Sequence, residues 1–380
     1  MRALMPWPSI APNGLRRGYT TGSCATAGVV AALHFLCRRQ TLTQVEIDLP
    51  DPAWRLSIPI FGLQPQGRGV MVTVRKDAGD DQDATANALI VVRVQRNTLG
   101  RVRFFAGQGV GTVTQSGLRI GVGEPAINPT PRHMMLAAVA SVAETGAGFD
   151  IEVGCVGGER IAQKTFNPRL GIVGGISILG TSGLVEPLSQ AAWMASIEVY
   201  IRVAIGAVAP PAIAFTPGKI GQPFAQTTLG LSRAQTVHIA NFMGAALDDL
   251  NRYLTEIDQR LGRLWVLGHP AKLAKILDGA WDTHSSQSAM AMPVLAKHGA
   301  QWGWPEATVT AMAAANTVEG VIQGLRTTES PAAVAAFWRD IEATLAALLQ
   351  TRLPRVDDIQ VRLFQMDGTL LGEDSTCTGN

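Results

Sequence analysis

The chain has 380 residues, of which 47% are hydrophobic and 16% are charged, and it carries a formal net charge of +2. This composition is typical of folded globular protein and excludes a disordered chain, and the length predicts two domains. Because the charge is near neutral and no basic run or aromatic-interleaved basic patch accompanies it, a nucleic-acid partner is not expected.

The cysteines are widely spaced in the sequence and form no CxxC pair. This spacing argues against a zinc site and against a disulfide framework, and it favours a reducing cytoplasm. They are Cys24, Cys37, Cys155 and Cys377.

No segment has the pattern of a signal peptide or of a membrane span. The first fourteen residues contain three prolines and no continuous apolar core. The most membrane-like stretch, residues 195–215, is interrupted by Glu198, Arg202 and a pair of prolines, so we expect a core helix followed by a strand. The sequence therefore predicts a soluble protein with no membrane partner.

Residues 1–14 are predicted to form an irregular N-terminal tail, and residues 15–36 contain the first helix. Thr20, Thr21 and Ser23 are good N-cap residues directly before an alanine-rich apolar run. A capped helix is the simpler interpretation, but one cap needs only one hydroxyl. The surplus of hydroxyls indicates that this segment also holds a ligand.

Between residues 45 and 122, short alternating or β-branched runs predict a sheet-building region. The runs are VEIDL, LSIPI, VMVTV, ALIVVRV and VRFF, separated by proline, glycine and aspartate clusters. Within residues 107–132 glycine and proline are so frequent that the backbone must follow an irregular course, but Thr112 breaks the dinucleotide-binding spacing. A predicted helix, RHMMLAAVASVAE, and a predicted strand, DIEVGCV, follow.

Residues 165–189 combine a strand, a glycine turn and a helix start. Ile172 to Leu179 is predicted to be a buried strand that ends in Gly180-Thr181-Ser182-Gly183, where free amides and hydroxyls are presented. Glu186-Pro187 is predicted to open an apolar helix. The arrangement suits an anionic or polar ligand, and a tight structural turn is the alternative.

That helix is predicted to end near Gly206, after which short apolar strands recur, each followed by a polar or glycine turn. AIAF ends at Thr216, VHIA ends at Asn241 and RLWVLG ends at His269. The recurrence of strand, turn and helix predicts a parallel α/β sheet with its site at the carboxyl ends of the strands.

Helices are also predicted over residues 241–261 and over much of 285–351, and VDDIQVRLFQ (356–365) is predicted to add an edge strand. Together these patterns predict a first domain over residues 15–205 and a second domain over residues 206–380.

The candidate chemical groups match no known catalytic signature. His238 lies inside a predicted strand, whereas His269 follows a strand and His284 lies in a polar break between helices. No HExxH spacing links them, no GxSxG elbow supports a serine nucleophile, and Gly218-Lys219 lacks the rest of a P-loop. A metal bound by the protein itself is therefore not expected, and the site should act by holding reactants together.

Several long motifs occur in a fixed order between residue 15 and about residue 370. They are GYTTGSCA (18–25), GVGTVTQSGL and GEPAINPTPR (109–132), KTFNPRLGIVGGISILGTSGLVEPLS (164–189), NFMG (241–244) and GHPAKLAKILDGAWDTHS (268–285). In these motifs the chain closely resembles the cobalt-precorrin-5B C1-methyltransferases of cobalamin biosynthesis.

The resemblance implies transfer of a methyl group from S-adenosylmethionine to C-1 of a tetrapyrrole. It also implies an α+β first domain with a mixed sheet and a Rossmann-like α/β second domain. Because the sulfonium charge already activates the methyl group, alignment of the two reactants could supply most of the catalysis.

On this resemblance we expect the co-substrate S-adenosylmethionine on the second domain and the tetrapyrrole between the domains, against the first. The expected cofactor residues are Pro217, Gly218, Gly221, Asn241, Gly244, Gly268 and His269. The expected substrate residues, which include cations suited to carboxylates, are Thr20, Thr21, Ser23, Lys164, Arg169, Gly180, Thr181 and Ser182. Further cation candidates are Arg16, Arg17 and Lys219, and the candidate catalytic proton handlers are Glu186 and His284.

Two other functions are weighed against this one. A small-molecule kinase could use glycine-rich loops for ATP, but the chain lacks a P-loop and an acidic metal cluster beside those loops. A tetrapyrrole carrier would bind the same molecule without transferring a methyl group. The sequence leaves open whether the substrate contains cobalt and whether the protein forms a homo-oligomer.

Overall fold

The computed structural model describes residues 5–284 and 288–373. Contacts divide the chain into two compact units, Met1–Gln190 and Ala191–Asn380. The structure is mixed α/β with several sheets. Ser285 of the last motif, and Cys377 among the cysteines, lie outside the described residues.

The first unit holds α1 (Thr21–Arg38), α2 (Pro129–Val142), α3 (Gly158–Ala162) and a 3₁₀ turn at Asn167–Leu170. Its longer strands are β3 (Gln44–Asp48), β4 (Trp54–Pro59), β5 (Gly62–Gln66), β6 (Gly69–Arg75), β7 (Leu89–Asn97), β8 (Val102–Ala106) and β11 (Gly148–Cys155). Its two-residue strands are β1 (Met5–Pro6), β2 (Gly18–Tyr19), β9 (Gly109–Val110), β10 (Thr112–Val113), β12 (Ile172–Val173), β13 (Gly175–Ile176) and β14 (Leu184–Val185).

All the runs predicted as strands between residues 45 and 122 form strands. The sequence pattern does not indicate β5, because this largely exposed edge strand contains a proline and no alternation of apolar residues. Five strands make a mixed sheet in the order β5-β6-β7-β11-β8, antiparallel except for the parallel β11–β8 pair. β1, β4 and β3 form a second sheet, and the pairs β2–β14, β9–β13 and β10–β12 join the glycine-rich segments.

Helix α1 packs closely against the large sheet because its contact face carries small residues. A Cβ atom at Gly28 would lie 2.6 Å from a Val92 methyl group, so glycine allows the helix to approach β7. Thr20 caps the helix by accepting a hydrogen bond from the Ser23 amide, and Arg39 in the left-handed conformation ends it. The apolar side chains of α1, β6, β7 and β11 fill the core of this unit.

Residues 172–179 do not form the single buried strand that the sequence predicts. Gly174 has a φ of +92° and separates β12 from β13. β12 pairs antiparallel with β10, whereas β13 pairs parallel with β9. The prediction is wrong because left-handed backbone at Gly174 cannot continue a pleated strand.

From residue 190 onwards the helices are α4 (Gln190–Ile205), α5 (Gly221–Pro223), α6 (Met243–Glu256), α7 (Pro270–Leu273), α8 (Ala291–Trp302), α9 (Glu306–Ala314), α10 (Val318–Thr328) and α11 (Pro331–Gln350). A π-helical turn, Phe224–Thr228, follows α5, and a 3₁₀ turn, Ala274–Asp278, follows α7. The strands are β15 (Ala212–Thr216), β16 (Thr236–His238), β17 (Leu261–Gly268) and β18 (Val356–Leu363).

Helix α4 begins three residues later than predicted, at Gln190 instead of Pro187. Leu188 has a φ of +56°, so residues 187–188 cannot belong to a right-handed helix. The predicted end near Gly206 is confirmed. Ile197 and Ile201 of α4 pack in the core of the second unit, so this helix belongs to that unit. The two compact units therefore divide at the start of α4, whereas the sequence predicts the domain boundary at its end.

The strands of the second unit pair in parallel in the order β16-β15-β17-β18, which confirms the predicted parallel sheet and the edge strand β18. Since all four run in one direction, their carboxyl ends lie at one edge of the sheet, which we call the strand-end edge. No helix in the described part of the chain is long and apolar enough to cross a membrane.

Candidate functional site

The first turn of α1 is joined to the glycine turn at residues 179–183. Ser23 Oγ donates to the Gly183 carbonyl oxygen (2.6 Å), and the Thr20 amide donates to the same oxygen (3.1 Å). Thr21 Oγ1 accepts from the Leu179 amide (2.9 Å). All three hydroxyl side chains are buried, with at most 5% exposed. The hydroxyls for which the sequence predicts a ligand therefore join the first turn of α1 to the turn at residues 179–183. Their contact with the substrate remains a prediction.

The turn itself carries exposed groups. Thr181 and Ser182 are exposed, and no hydrogen bond among the described residues uses their amides, in line with the free amides that the sequence predicts. Gly180 has a φ of +140°, and a Cβ atom there would overlap the Thr20 side chain. The turn is therefore shaped by the Thr20 contact and presents its tip to solvent.

Cys24, directly after these hydroxyls, is fully buried. Burial raises the pKa of its thiol well above the ordinary value, so the thiol stays protonated at neutral pH. This agrees with a site that lacks a covalent nucleophile.

The charged candidates of the first unit divide into two groups. Arg17 pairs with Glu186 (Nη2–Oε2 3.2 Å), and Arg16 forms a bidentate pair with Asp77 (2.6 and 2.9 Å). Lys164 and Arg169 have no carboxylate partner among the described residues, and the Arg169 guanidinium lies over the Phe166 ring. Lys164 is exposed and Arg169 is half-buried.

In the second unit, the predicted cofactor residues lie on the strand-end edge or begin the helices that follow it. Pro217 and Gly218 follow β15, and Gly268 and His269 stand at the end of β17, the neighbouring strand. A Cβ atom at Gly268 would lie 3.2 Å from Pro217 Cδ, so these two turns touch. Gly221 packs against Leu267, where a Cβ atom would lie 2.5 Å from the Leu267 Cβ.

His269 is held at both ring nitrogens. Nδ1 accepts from the Ala271 amide (3.1 Å), which caps α7, and Nε2 lies 3.2 Å from Glu319 Oε2. With Nδ1 as acceptor, the neutral ring carries its proton on Nε2 and donates it to Glu319. His238, at the end of β16, is half-buried; its Nδ1 lies 3.0 Å from the Thr216 carbonyl oxygen and its ring packs edge-on with Trp193, so it is hydrogen-bonded but lies outside the buried core.

A second contact network brings the His284 segment to the same region. Thr283 donates its amide to the Asn241 carbonyl oxygen (3.0 Å), and the Gly244 amide donates to the Trp281 carbonyl oxygen (3.0 Å). The His284 amide in turn donates to Asp282 Oδ1 (3.0 Å). The predicted cofactor residues Asn241 and Gly244 are thus linked to the segment that carries His284, whereas Glu186 belongs to the first unit.

Sequence reasoning missed Lys272 and Lys275, which follow His269 on α7 and the 3₁₀ turn. Lys272 Nζ donates to the Pro217 carbonyl oxygen (2.8 Å), and Lys275 Nζ donates to the Thr283 carbonyl oxygen (3.1 Å). Lys272 therefore holds the turn after β15, and Lys275 holds the Thr283 segment that bonds to Asn241. The signal available in the sequence was the pair of lysines three residues apart immediately after a strand-end turn, in GHPAKLAK.

In the described ranges no group of three or more His, Cys, Asp or Glu side chains is arranged to hold a metal ion.

Comparisons with known proteins agree on one family. The family model CbiD matches residues 9–187, and the model "CbiD, C-terminal domain" matches residues 282–375. A protein of Ralstonia nicotianae called cobalt-precorrin-5B C(1)-methyltransferase is 60% identical over 365 residues, covering 95% of this chain and 94% of the relative. A protein of Chromobacterium violaceum with the same name is 54% identical over 366 residues, covering 96% of each.

Among solved structures, a cobalamin biosynthesis protein (CbiD) of Archaeoglobus fulgidus is 26% identical, with 71% of this chain and 82% of that chain covered and a TM-score of 0.38. The two family matches and the near-complete coverage of the relatives show that the chain belongs to the CbiD family.

Proposed function

We propose that the protein transfers a methyl group from S-adenosylmethionine to C-1 of cobalt-precorrin-5B, giving cobalt-precorrin-6A in cobalamin biosynthesis. The observation that carries the proposal is the identity of 60% and 54% to two cobalt-precorrin-5B C(1)-methyltransferases over nearly the whole chain. The motifs that resemble this family include the turns described above, so the likeness extends to the candidate site.

The strand-end edge is the proposed cofactor site, and its residues fit such a ligand. S-adenosylmethionine supplies a methyl group on a positively charged sulfur. A Cβ atom at Gly218 would have no atom of the chain within 4 Å, so there is room beside this turn. The four parallel strands, with turns at their carboxyl ends, support a Rossmann-like arrangement of the second domain.

The first unit is the proposed tetrapyrrole site. The substrate's acetate and propionate groups require cations, and Lys164 and Arg169 are not engaged by carboxylates in the described structure. The exposed amides of Thr181 and Ser182 and the Thr181 hydroxyl add neutral donors, whereas the Ser182 hydroxyl already donates to the Leu184 carbonyl oxygen (3.2 Å). Arg16 and Arg17 are weaker candidates because each already pairs with an acidic side chain.

Cytoplasmic location is part of this proposal. Cys24, Cys37 and Cys155 are free thiols, which suits a reducing compartment.

The test is mass spectrometry of the purified protein with S-adenosylmethionine and either cobalt-containing or metal-free precorrin-5-level substrate. We expect a gain of one methyl group, and the tube in which it appears identifies the branch that the enzyme serves. Glu186→Gln and His284→Ala, the proposed proton handlers, should slow the reaction, and normal turnover by both variants would exclude them. Binding of tetrapyrrole with no methyl transfer and no affinity for S-adenosylmethionine would instead establish the carrier function.

A further inference from the structure

Lys272 and Lys275 carry positive charge into the interior of the second unit beside the strand-end edge. Lys275 is only 8% exposed, and its ammonium donates to the Thr283 carbonyl oxygen and to Ser288 Oγ (both 3.1 Å). Lys272 is half-buried and donates to the Pro217 carbonyl oxygen (2.8 Å). Every one of these acceptors is neutral.

Neither lysine forms an ion pair with a carboxylate in residues 5–284 and 288–373. Acids on neighbouring segments have other partners: Glu319 faces His269 Nε2, Asp278 pairs with Lys297 (2.6 Å), and Asp282 Oδ1 accepts from the His284 amide (3.0 Å). Residues 285–287 are Ser-Ser-Gln and add no acidic side chain. Burial lowers the pKa of Lys272, and the neighbouring charge of Lys275 lowers it further, so the two ammonium groups oppose each other.

The first unit shows how this chain otherwise buries a lysine. Lys76 is 1% exposed, and its ammonium is paired with the Asp83 carboxylate. A buried charge with no partner of opposite sign is costly, because water is lost without an equivalent Coulombic attraction. The pair Lys272 and Lys275 therefore lacks the negative charge that Lys76 has.

Space for a ligand lies next to the same lysines. The carbonyl oxygen held by Lys272 belongs to Pro217, and the adjacent Gly218 borders open space. An ammonium group has three donors, and the described structure supplies Lys272 with one acceptor. An anionic group beside Gly218 could accept from the remaining donors.

We propose that Lys272 and Lys275 bind the carboxylate of the amino-acid portion of S-adenosylmethionine, which supplies the missing negative charge at the strand-end edge. The inference rests on the proposed function and names the residues that select the cofactor. Lys272 makes the direct contact, and Lys275 adds its charge from the deeper position. The assignment also keeps the lysines at the anionic end of the cofactor, because a cation beside the sulfonium would oppose it.

The test is calorimetric titration with S-adenosylmethionine and with its decarboxylated analogue, which retains the sulfonium and the adenosine. The wild-type protein should bind S-adenosylmethionine about ten- to a hundredfold more tightly than the analogue, as expected for one charge-assisted contact. Lys272→Gln keeps a donor for the Pro217 carbonyl oxygen. It should lose that preference, because only the affinity for S-adenosylmethionine should fall. Lys272→Arg, which keeps the charge, should retain most of it.

Lys297→Gln serves as the control, because this exposed lysine pairs with Asp278 in the same unit; its affinities should match the wild type. Equal affinity of the wild-type protein for both ligands would by itself overturn the inference. An equal fall in affinity for both ligands in a folded Lys272→Gln protein would also overturn it. A change only in the tetrapyrrole KM would reassign the lysines to a substrate carboxylate and overturn the cofactor assignment. Failure of the wild-type protein to bind either ligand would instead contradict the proposed methyl donor.

Discussion

The hydroxyls in the first turn of α1 show how a residue's role depends on distant partners. Thr20 caps the helix, as its position in the sequence predicts. Thr21 and Ser23 instead bond to backbone groups of Leu179 and Gly183, about 160 residues further along the chain. Residue type indicated that these side chains would bond to something, but the partner depended on the folding of a remote turn.

Glu342 on α11 predicts a pH dependence of stability at the residue scale. The carboxyl group is 5% exposed and accepts from the Leu363 amide (2.7 Å), with Arg362 Nη1 3.6 Å away. Burial raises the pKa of Glu342 from 4.5 to about 7. Because the folded-state pKa lies above the unfolded value, the stabilisation is complete below about pH 4.5 and is lost as the pH rises through 7.

We therefore expect Glu342→Gln, which can still accept from Leu363, to raise the free energy of unfolding more at pH 8 than at pH 5. The difference should be on the order of 3 kcal/mol at most, measured by urea unfolding across this range. Glu306→Gln, at an exposed site, should follow the wild-type profile. If the free energy of unfolding of the Glu342→Gln and wild-type proteins changed with pH in the same way, folding would not raise the pKa of Glu342.

At the scale of elements, the short strands of the first unit depend on direct backbone contact between glycines. β9 and β13 pair through Gly109 and Gly175, and Gly158 at the start of α3 packs against Gly109. Gly109 also has a φ of +78°, which favours glycine. The sequence shows the glycines, but only the pairing shows which of them cannot be replaced.

Gly175→Ala should destabilise the protein by about 3 kcal/mol or more, because its Cβ atom would overlap the Gly109 carbonyl group and the strands would have to separate. Gly62→Ala in β5 is the matched control, since no atom lies within 4 Å of a Cβ atom there. It should change stability by no more than about 0.5 kcal/mol. Equal effects of the two substitutions in chemical denaturation would rule out the β9–β13 contact.

At the scale of the whole molecule, the two compact units carry different parts of the proposed site. All the expected cofactor residues belong to the second unit. The expected substrate residues, apart from the further cation candidate Lys219, belong to the first unit and lie in or near its glycine-rich segments. The family models also match each unit separately, over residues 9–187 and 282–375. Ligand binding should therefore change each unit in a distinct region.

We expect S-adenosylmethionine to slow hydrogen exchange at residues 216–221, 239–244, 268–275 and 281–284, which form the strand-end turns and the contacts behind them. Gly218→Val should abolish this protection, because the new side chain meets no atom of the chain but fills the space beside the turn. The β5–β6 hairpin, residues 62–75, provides an internal control. Protection confined to residues 177–186, or unchanged protection in a folded Gly218→Val protein, would place the cofactor elsewhere.

The sequence by itself determined the elements with strong local patterns and the family. Alternating or β-branched apolar runs predicted β3, β4, β6, β7 and β8. The recurring strand, turn and helix predicted that β15, β16 and β17 are parallel, and a further apolar run predicted the edge strand β18. These features depend on short-range periodicity and turn residues, which can be read along the chain.

The tertiary structure alone decided which groups meet. It divided residues 172–179 at Gly174 and delayed α4 to Gln190. It also showed that the half-buried Lys272 and the buried Lys275 have no carboxylate partner among the described residues. The physical reason is that hydrogen-bond partners, backbone clearance and charge balance are set by residues far apart in the sequence. Their effect on a side chain exists only once the chain has folded.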